Sequence, residues 1–139
     1  MITVPCSVLL DAEAVSALAS QSLRIYPWLA AVAQTGSTLY VSAATLAETT
    51  DGTARDANVR CVVASHAIVR PVDQQVGFSA GRLRAAASRG RKKPRDLTID
   101  ALVAATALTL QPPVIVLTAD VGDFAALLEG AAVRVHSIN

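Results

Sequence analysis

This sequence has few aromatic residues, only two cysteines and no long apolar run, and each shortage excludes a class of protein. Aromatic residues make up 4% of the chain although hydrophobic residues make up 53%. The core must therefore consist mainly of Ala, Val and Leu, which favours an α/β or all-α protein over a β-sandwich. No segment approaches the roughly 18 apolar residues of a membrane span, and Asp11 interrupts the first apolar segment before it can serve as a signal peptide. We expect a cytoplasmic protein.

Length and cysteine usage set further bounds. With 139 residues, the chain is long enough to bury a core of its own, and we assign residues 1–139 to a single domain. Cys6 and Cys61 are too few for a disulfide framework and lack the spacing of metal ligands. We expect both to be buried free thiols in a reducing compartment.

Short apolar runs alternate with helical segments along the chain. Strands are predicted at residues 4–10, 39–41, 68–72, 114–117 and 133–138. Helices are predicted between them, and Gly36 is expected to end one, while Ser42 and Asp73 are expected to cap two others. Because most connections are long enough for right-handed crossovers, the pattern predicts a three-layer α/β fold. Its central sheet is mainly parallel, with four or five strands and helices on both faces.

Acidic residues lie where these strands end. Asp11 follows the first strand, while Asp120 and Asp123 follow the buried strand at 114–117. Glu48 and Asp100 lie on helices that can reach the same edge of the sheet. Carboxylates this close repel one another and raise their pKa values unless a cation neutralises them. Oxygen ligands without nearby His or Cys suit Mg²⁺ or Mn²⁺, and one or two such ions would activate water for displacement at phosphorus.

Four motifs in this order resemble the PIN domain ribonucleases, specifically the VapC-type toxins. They are VLLD at 8–11, SAATLAE at 42–48, DALVAATA at 100–107 and LTAD at 117–120. The resemblance covers essentially the whole chain and implies a PIN-like fold. It also implies an endoribonuclease that depends on Mg²⁺ or Mn²⁺, pairs as a homodimer and is held inactive by a VapB-type antitoxin.

The resemblance also implies a role for individual residues. The fourth family acid is open, because Asp120 fits a Thr-x-Asp form whereas Asp123 fits variants with the acid just before Phe; we favour Asp120. Thr118 matches a hydroxyl residue that orients the site. Glu13 replaces a small polar residue of many relatives and either enlarges the metal site or points away, and Asp96 is expected to cap the following helix. The predicted catalytic set is Asp11, Glu48, Asp100, Asp120, Asp123 and Thr118, with metal ligands Asp11, Glu48, Asp100 and Asp120.

A basic segment leads directly into the helix of Asp100. Formal net charge is only +1, yet seven of the twelve Lys and Arg residues lie between Arg82 and Arg95. An isolated charge run is usually a solvated loop, but cations beside an acidic site would offset its repulsion of RNA. We predict that the RNA backbone is bound by Arg89, Arg91, Lys92, Lys93 and Arg95.

Two other functions stay open at this point. The sequence from Asp11 to Glu13 loosely resembles the nucleophile motif of haloacid dehalogenase-type phosphatases, but that chemistry also needs a lysine near the phosphate. The only lysines are Lys92 and Lys93 in the basic segment. A catalytically weak PIN-like module that only binds RNA or antitoxin should have a gap in the acidic set, and the matched positions have none. The RNA target depends on loop geometry, which the sequence does not give.

Overall fold

Five strands form one sheet in the computed structural model, which describes residues 2–89 and 96–139. The strands are β1 (Ser7–Leu10), β2 (Thr38–Ser42), β3 (Ala67–Arg70), β4 (Val114–Thr118) and β5 (Val133–Ser137). Their order in the sheet is β3-β2-β1-β4-β5, and every pair of neighbours is parallel. The predicted parallel sheet is confirmed, with five strands rather than four.

Helices connect these strands and cover both faces of the sheet. Within the described residues they are α1 (Ala12–Ala19), α2 (Tyr26–Thr35), α3 (Ala43–Thr49), α4 (Asp56–His66), α5 (Gln74–Ser88), α6 (Thr98–Ala107) and α7 (Val121–Leu127). No helix in the described part of the chain has both the length and the apolar composition to cross a membrane.

The predicted helix boundaries follow from local chemistry. The Ser42 side chain accepts a hydrogen bond from the amide of Ala44 at 3.2 Å. Asp73 accepts one from the amide of Val76 at 2.9 Å, so both residues satisfy amides that a helix start leaves unpaired. Gly36 ends α2 with φ 69°, a left-handed conformation in which glycine has no steric penalty. These three predictions are confirmed.

Two hydrophobic clusters lie on opposite faces of the sheet. Leu10 belongs to the cluster under α1, α2 and α4, which also contains Trp28. Leu9 belongs to the cluster under α5, α6 and α7, which contains Phe124. Adjacent residues of β1 point to opposite faces, as the two-residue period of a strand requires. All five residues of β4 are buried, which confirms the prediction of a fully buried strand.

The order of the strands places a crevice between β1 and β4. From β1 the chain adds β2 and then β3 on one side, and it then crosses to β4 and β5 on the other side. Such a switch point leaves an opening at the carboxyl ends of the two strands, where open α/β sheets bind their ligands. Asp11 follows β1 and Asp120 follows β4, so both acids lie at this opening.

One expectation about the cysteines was wrong. Both thiols are free, as predicted, and Cys6 is buried, but Cys61 is exposed. Cys61 lies on α4, whose buried residues are Asp56, Val59 and Val63. These follow a helical spacing that turns position 61 toward solvent.

Candidate active site

Asp11 ends β1 and begins α1. Its amide donates to the carbonyl of Leu117 at 3.1 Å, which extends the pairing of β1 with β4 by one residue. Its carboxylate accepts the amide of Ala14 at 2.9 Å and caps α1. The residue is only 7% exposed, so the charge of its carboxylate is poorly solvated.

Thr118 connects Asp11 with Asp120. Its hydroxyl oxygen accepts the amide of Asp120 at 2.8 Å, and its side chain also hydrogen-bonds to the Asp11 carboxylate. Thr118 is fully buried, so water does not compete for either bond. The hydroxyl thus fixes the turn after β4 relative to the acid after β1, which gives a physical basis for the orienting role implied by the resemblance.

Burial is the main influence on the ionisation of Asp11. It raises the pKa of this carboxyl, and the nearby charge of Glu13 raises it further. Hydrogen bonds from Thr118 and from the amides of Ala14 and Ala119 act in the opposite direction without cancelling the effect of burial. Asp11 is therefore held in place by donors suited to its anionic form, although its surroundings disfavour the anion.

Three further carboxylates converge beside Asp11. Asp100 lies in the first turn of α6, Asp120 directly precedes α7, and Asp123 lies in the first turn of α7. One oxygen from each lies within 4.8 Å of the others. Asp123 is 6% exposed, whereas Asp100 and Asp120 are partly buried. The structure thus brings together both residues that sequence analysis considered as the fourth acid.

The pKa of Asp100 reports how close these charges are. Burial raises it from 3.8 to about 6, and the charges of four other acids add to the effect. The largest of these contributions comes from Glu48, which lies on the exposed side of α3. The pKa of Glu48 is also raised, first by burial and then by the charge of Asp11. Asp100 is therefore the position at which the fields of the predicted acids add most strongly; the other contributors are Asp120, Asp123 and Asp11.

The donor set of this acidic cluster, which we define as Asp11, Glu48, Asp100, Asp120 and Asp123, fits a hard divalent cation. Its ligand atoms are carboxylate oxygens, which Mg²⁺ and Mn²⁺ prefer. The raised pKa of Asp100 shows that the charges repel one another, and a bound cation would relieve that repulsion. The residues present therefore fit the metal that sequence analysis predicted.

Other candidate residues lie around this cluster. Glu13 is exposed on α1 and acts on Asp11 through its charge. Asp96 accepts the amide of Thr98 at 2.9 Å and its hydroxyl at 2.6 Å, and it thereby binds the start of α6 as a capping residue would. His136 packs edge-on against Trp28, with ring centroids 5.5 Å apart. It is a strand residue, as expected.

Only the first residue of the predicted RNA-binding set is described by the structure. Arg89 is exposed directly after α5. The guanidinium of Arg84 donates to the hydroxyl of Thr98 at 2.9 Å, so the end of α5 lies next to the start of α6. The remaining predicted contacts lie outside the described residues; they are Arg91, Lys92, Lys93 and Arg95.

Comparison with family models identifies the fold family. The model described as PIN domain matches residues 8–127, from β1 to the end of α7. The chain belongs to the PIN domain family. The match extends over most of the chain and replaces the haloacid dehalogenase alternative.

Solved structures share this PIN fold over nearly the full length of the chain. A VapBC2 complex from Rickettsia felis bound to a promoter DNA fragment is 16% identical, with a TM-score of 0.71, and the match covers 94% of this chain and 98% of that one. FitAB bound to an IR36 DNA fragment is 23% identical, with a TM-score of 0.63 and 94% coverage of both chains. A DNA-bound VapBC from Salmonella typhimurium is 16% identical, with a TM-score of 0.61 and coverage of 99% and 100%. No curated protein sequence matches.

Proposed function

We propose that this PIN domain chain is a metal-dependent endoribonuclease and the toxin of a type II toxin-antitoxin pair. The single observation that carries the proposal is the acidic cluster at the β1/β4 switch point, where Asp100, Asp120 and Asp123 present oxygens within 4.8 Å of one another. A PIN domain with this donor set has the groups needed to hold Mg²⁺ or Mn²⁺.

Each acid has a distinct part in the proposed mechanism. Asp100 and Asp120 hold the divalent cation, with Asp123 as a supporting ligand. Asp11 and Glu48 bear on the same position from β1 and α3. A bound divalent cation supplies activation of water and neutralisation of charge at phosphorus. Thr118 keeps Asp11 and the turn before α7 in register through its two hydrogen bonds.

RNA cleavage by the purified chain tests this assignment. Wild-type protein is incubated with a mixed-sequence RNA in Mg²⁺, in Mn²⁺ and in EDTA, beside the Asp100→Asn variant. We expect cleavage only with metal and a loss of about 100-fold or more in the variant, because even residues that merely support metal ligands contribute 10–100-fold. The matched control is Glu129→Gln, an exposed acid just beyond the carboxyl end of α7. An Asp100→Asn protein that cuts RNA at the wild-type rate would overturn the assignment.

A failure to cleave would have its own interpretation. Mn²⁺ titrations of the wild type and of Asp11→Asn measure metal binding independently of catalysis. If the wild type binds Mn²⁺ but no RNA is cut under any condition, the chain is a PIN-like binding module rather than a nuclease.

The proposal extends to partners, assembly and location. The similar complexes named VapBC and FitAB support an antitoxin partner of the VapB type for this chain. Large apolar side chains that remain exposed support a homodimer, among them Leu23, Ile68 and Phe78. We further propose that residues 1–139 form one domain that acts in the cytoplasm. Light scattering at micromolar concentration should give a dimeric mass, and a strictly monomeric mass would contradict the dimer.

A further inference from the structure

A second polar pocket lies away from the acidic cluster, between the end of β3, the first half of α5 and the end of α6. Its volume is about 350 Å³, within the range of small-molecule sites, about 300–1,000 Å³. Two arginines line it, Arg70 from β3 and Arg82 from α5, together with the polar residues Gln75, Ser79 and Thr109. No carboxylate of the described residues lines this pocket.

The guanidinium of Arg70 is held without a partner. Its Nε is buried and has no hydrogen-bond acceptor among residues 2–89 and 96–139. In the same part of the chain, the one ion pair joins Arg55 and Asp51, so Arg70 has no counter-charge either. A buried N–H without an acceptor costs free energy, and a charged one costs more. The pocket therefore offers a strong donor for which the protein supplies no acceptor.

The other side chains of the pocket add donors and leave the anion position open. Arg82 is exposed at the rim, and neither it nor Gln75 or Ser79 has a side-chain hydrogen bond within the described residues. The nearest acid along the chain, Asp73, accepts the amide of Val76 at the start of α5. Two guanidinium groups with neighbouring amide and hydroxyl donors match the acceptor oxygens of a phosphate group.

The register of the sheet relates this pocket to the acidic cluster. Arg70 pairs with Ser42, and Leu10 pairs with Val41, so Arg70 and Asp11 are at the same level two strands apart. With strands about 4.8 Å apart, their backbones lie roughly 10 Å from each other. Phosphates of one nucleic-acid strand can reach both positions.

We propose that the pocket of Arg70 and Arg82 binds a phosphate group. The phosphate belongs either to the backbone of a nucleic-acid strand that also reaches the acidic cluster or to a small phosphate-bearing molecule. Arg70 supplies the buried end of the site through its guanidinium fork, and Arg82 closes it from the solvent side. The proposal does not require nuclease activity, so either one can fail without the other.

Calorimetric titration of the full chain with inorganic phosphate tests the site. EDTA is present, so that no metal ion carries phosphate to the acidic cluster, and ionic strength is held constant with chloride. We expect saturable binding that weakens about tenfold or more in Arg70→Gln, because a hydrogen bond to a charged group contributes that much. Arg70→Lys keeps the charge without the fork and should bind at an intermediate strength. The matched control is Arg134→Gln, on the opposite edge strand β5, which should bind as the wild type does.

Further measurements keep the test decisive. Because Nε has no partner to lose, metal-free Arg70→Gln should unfold at the wild-type temperature or above it. If that variant does not fold, Arg82→Gln at the exposed rim carries the test. A second titration uses a short RNA with 2′-O-methyl groups, which is not cleaved: weaker binding in both arginine variants assigns a backbone phosphate, and unchanged RNA binding assigns a small phosphate-bearing molecule. Absence of saturable phosphate binding, or equal binding by Arg70→Gln and the wild type, overturns the proposal.

Discussion

Replacement of Asp100 by Asn should make the metal-free protein more stable while it abolishes the proposed activity. The folded state raises the pKa of Asp100 from 3.8 to about 6, so it binds this proton more tightly than the unfolded state does. The free energy of unfolding of the metal-free wild type therefore falls as pH rises from about 4 to about 6, and it stays lower above that range. Asn removes the charge and with it this loss.

The size of the effect follows from the same pKa. A rise from 3.8 to about 6 corresponds to about 3 kcal/mol, since one pKa unit is about 1.4 kcal/mol. Asp100 is partly exposed, and solvent screening reduces the effect to about 1–2 kcal/mol. For a chain of this length, that gain raises the melting temperature by about 3–8 °C.

Thermal unfolding at pH 7.5 and pH 4, with EDTA or with Mn²⁺, measures this gain. Asp100→Asn should melt above the wild type at pH 7.5 in EDTA, and the difference should vanish near pH 4, where the wild-type carboxyl is protonated. Added Mn²⁺ should raise the wild-type melting temperature by mass action and raise that of the variant much less. Glu129→Gln serves as the control without a gain. A variant that melts at or below the wild type in EDTA at pH 7.5 would refute the argument that the acids repel one another.

Three other changes have defined outcomes. Thr118→Val should raise the pKa of Asp11 and move the acid limb of the pH–rate profile upward; it should also cost about 1–3 kcal/mol in urea unfolding, because the Asp120 amide loses its acceptor, whereas Thr118→Ser should change little. Asp123→Asn should lower the pKa of Asp100, seen by NMR titration in EDTA, because the charge of Asp123 contributes to the raised value. A loss of phosphate contacts should flatten the salt dependence of RNA binding by somewhat under one unit each, with Mn²⁺ affinity unchanged; an unchanged slope would indicate a solvated loop. The variant for this last test replaces Arg91, Lys92 and Lys93 by Ala.

Much of the fold was predictable because this sequence states its local structure clearly. β4 is an uninterrupted apolar run, which is typical of a strand covered on both faces. The residues Ser42, Asp73 and Gly36 occupy helix boundaries for which their chemistry is suited. The positions of the acids at strand ends, together with a parallel sheet, were enough to predict that they would meet at one edge.

Other features depend on tertiary contacts that no local pattern contains. The fourth acid was left open between Asp120 and Asp123, and the structure brings both within reach of Asp100 because the turn before α7 is tightly wound. Arg70 read only as a residue of an edge strand. Its lack of an acceptor depends on how α5 and α6 pack over β3, and a strand pattern gives no information about which polar groups stay unpaired.

Because one carboxylate both caps α1 and faces the cluster, loss of function at position 11 has two grades. Asn can cap a helix about as well as Asp, whereas Ala forfeits the cap at a typical cost of about 1 kcal/mol. Asp11→Asn should therefore leave a folded chain that still presents its surface to a partner, while Asp11→Ala should leave fewer folded molecules in the cell. If a population accumulates silenced copies of this chain, those with Asn at position 11 should persist as folded decoys that still bind the antitoxin, and those with Ala should be cleared by proteolysis.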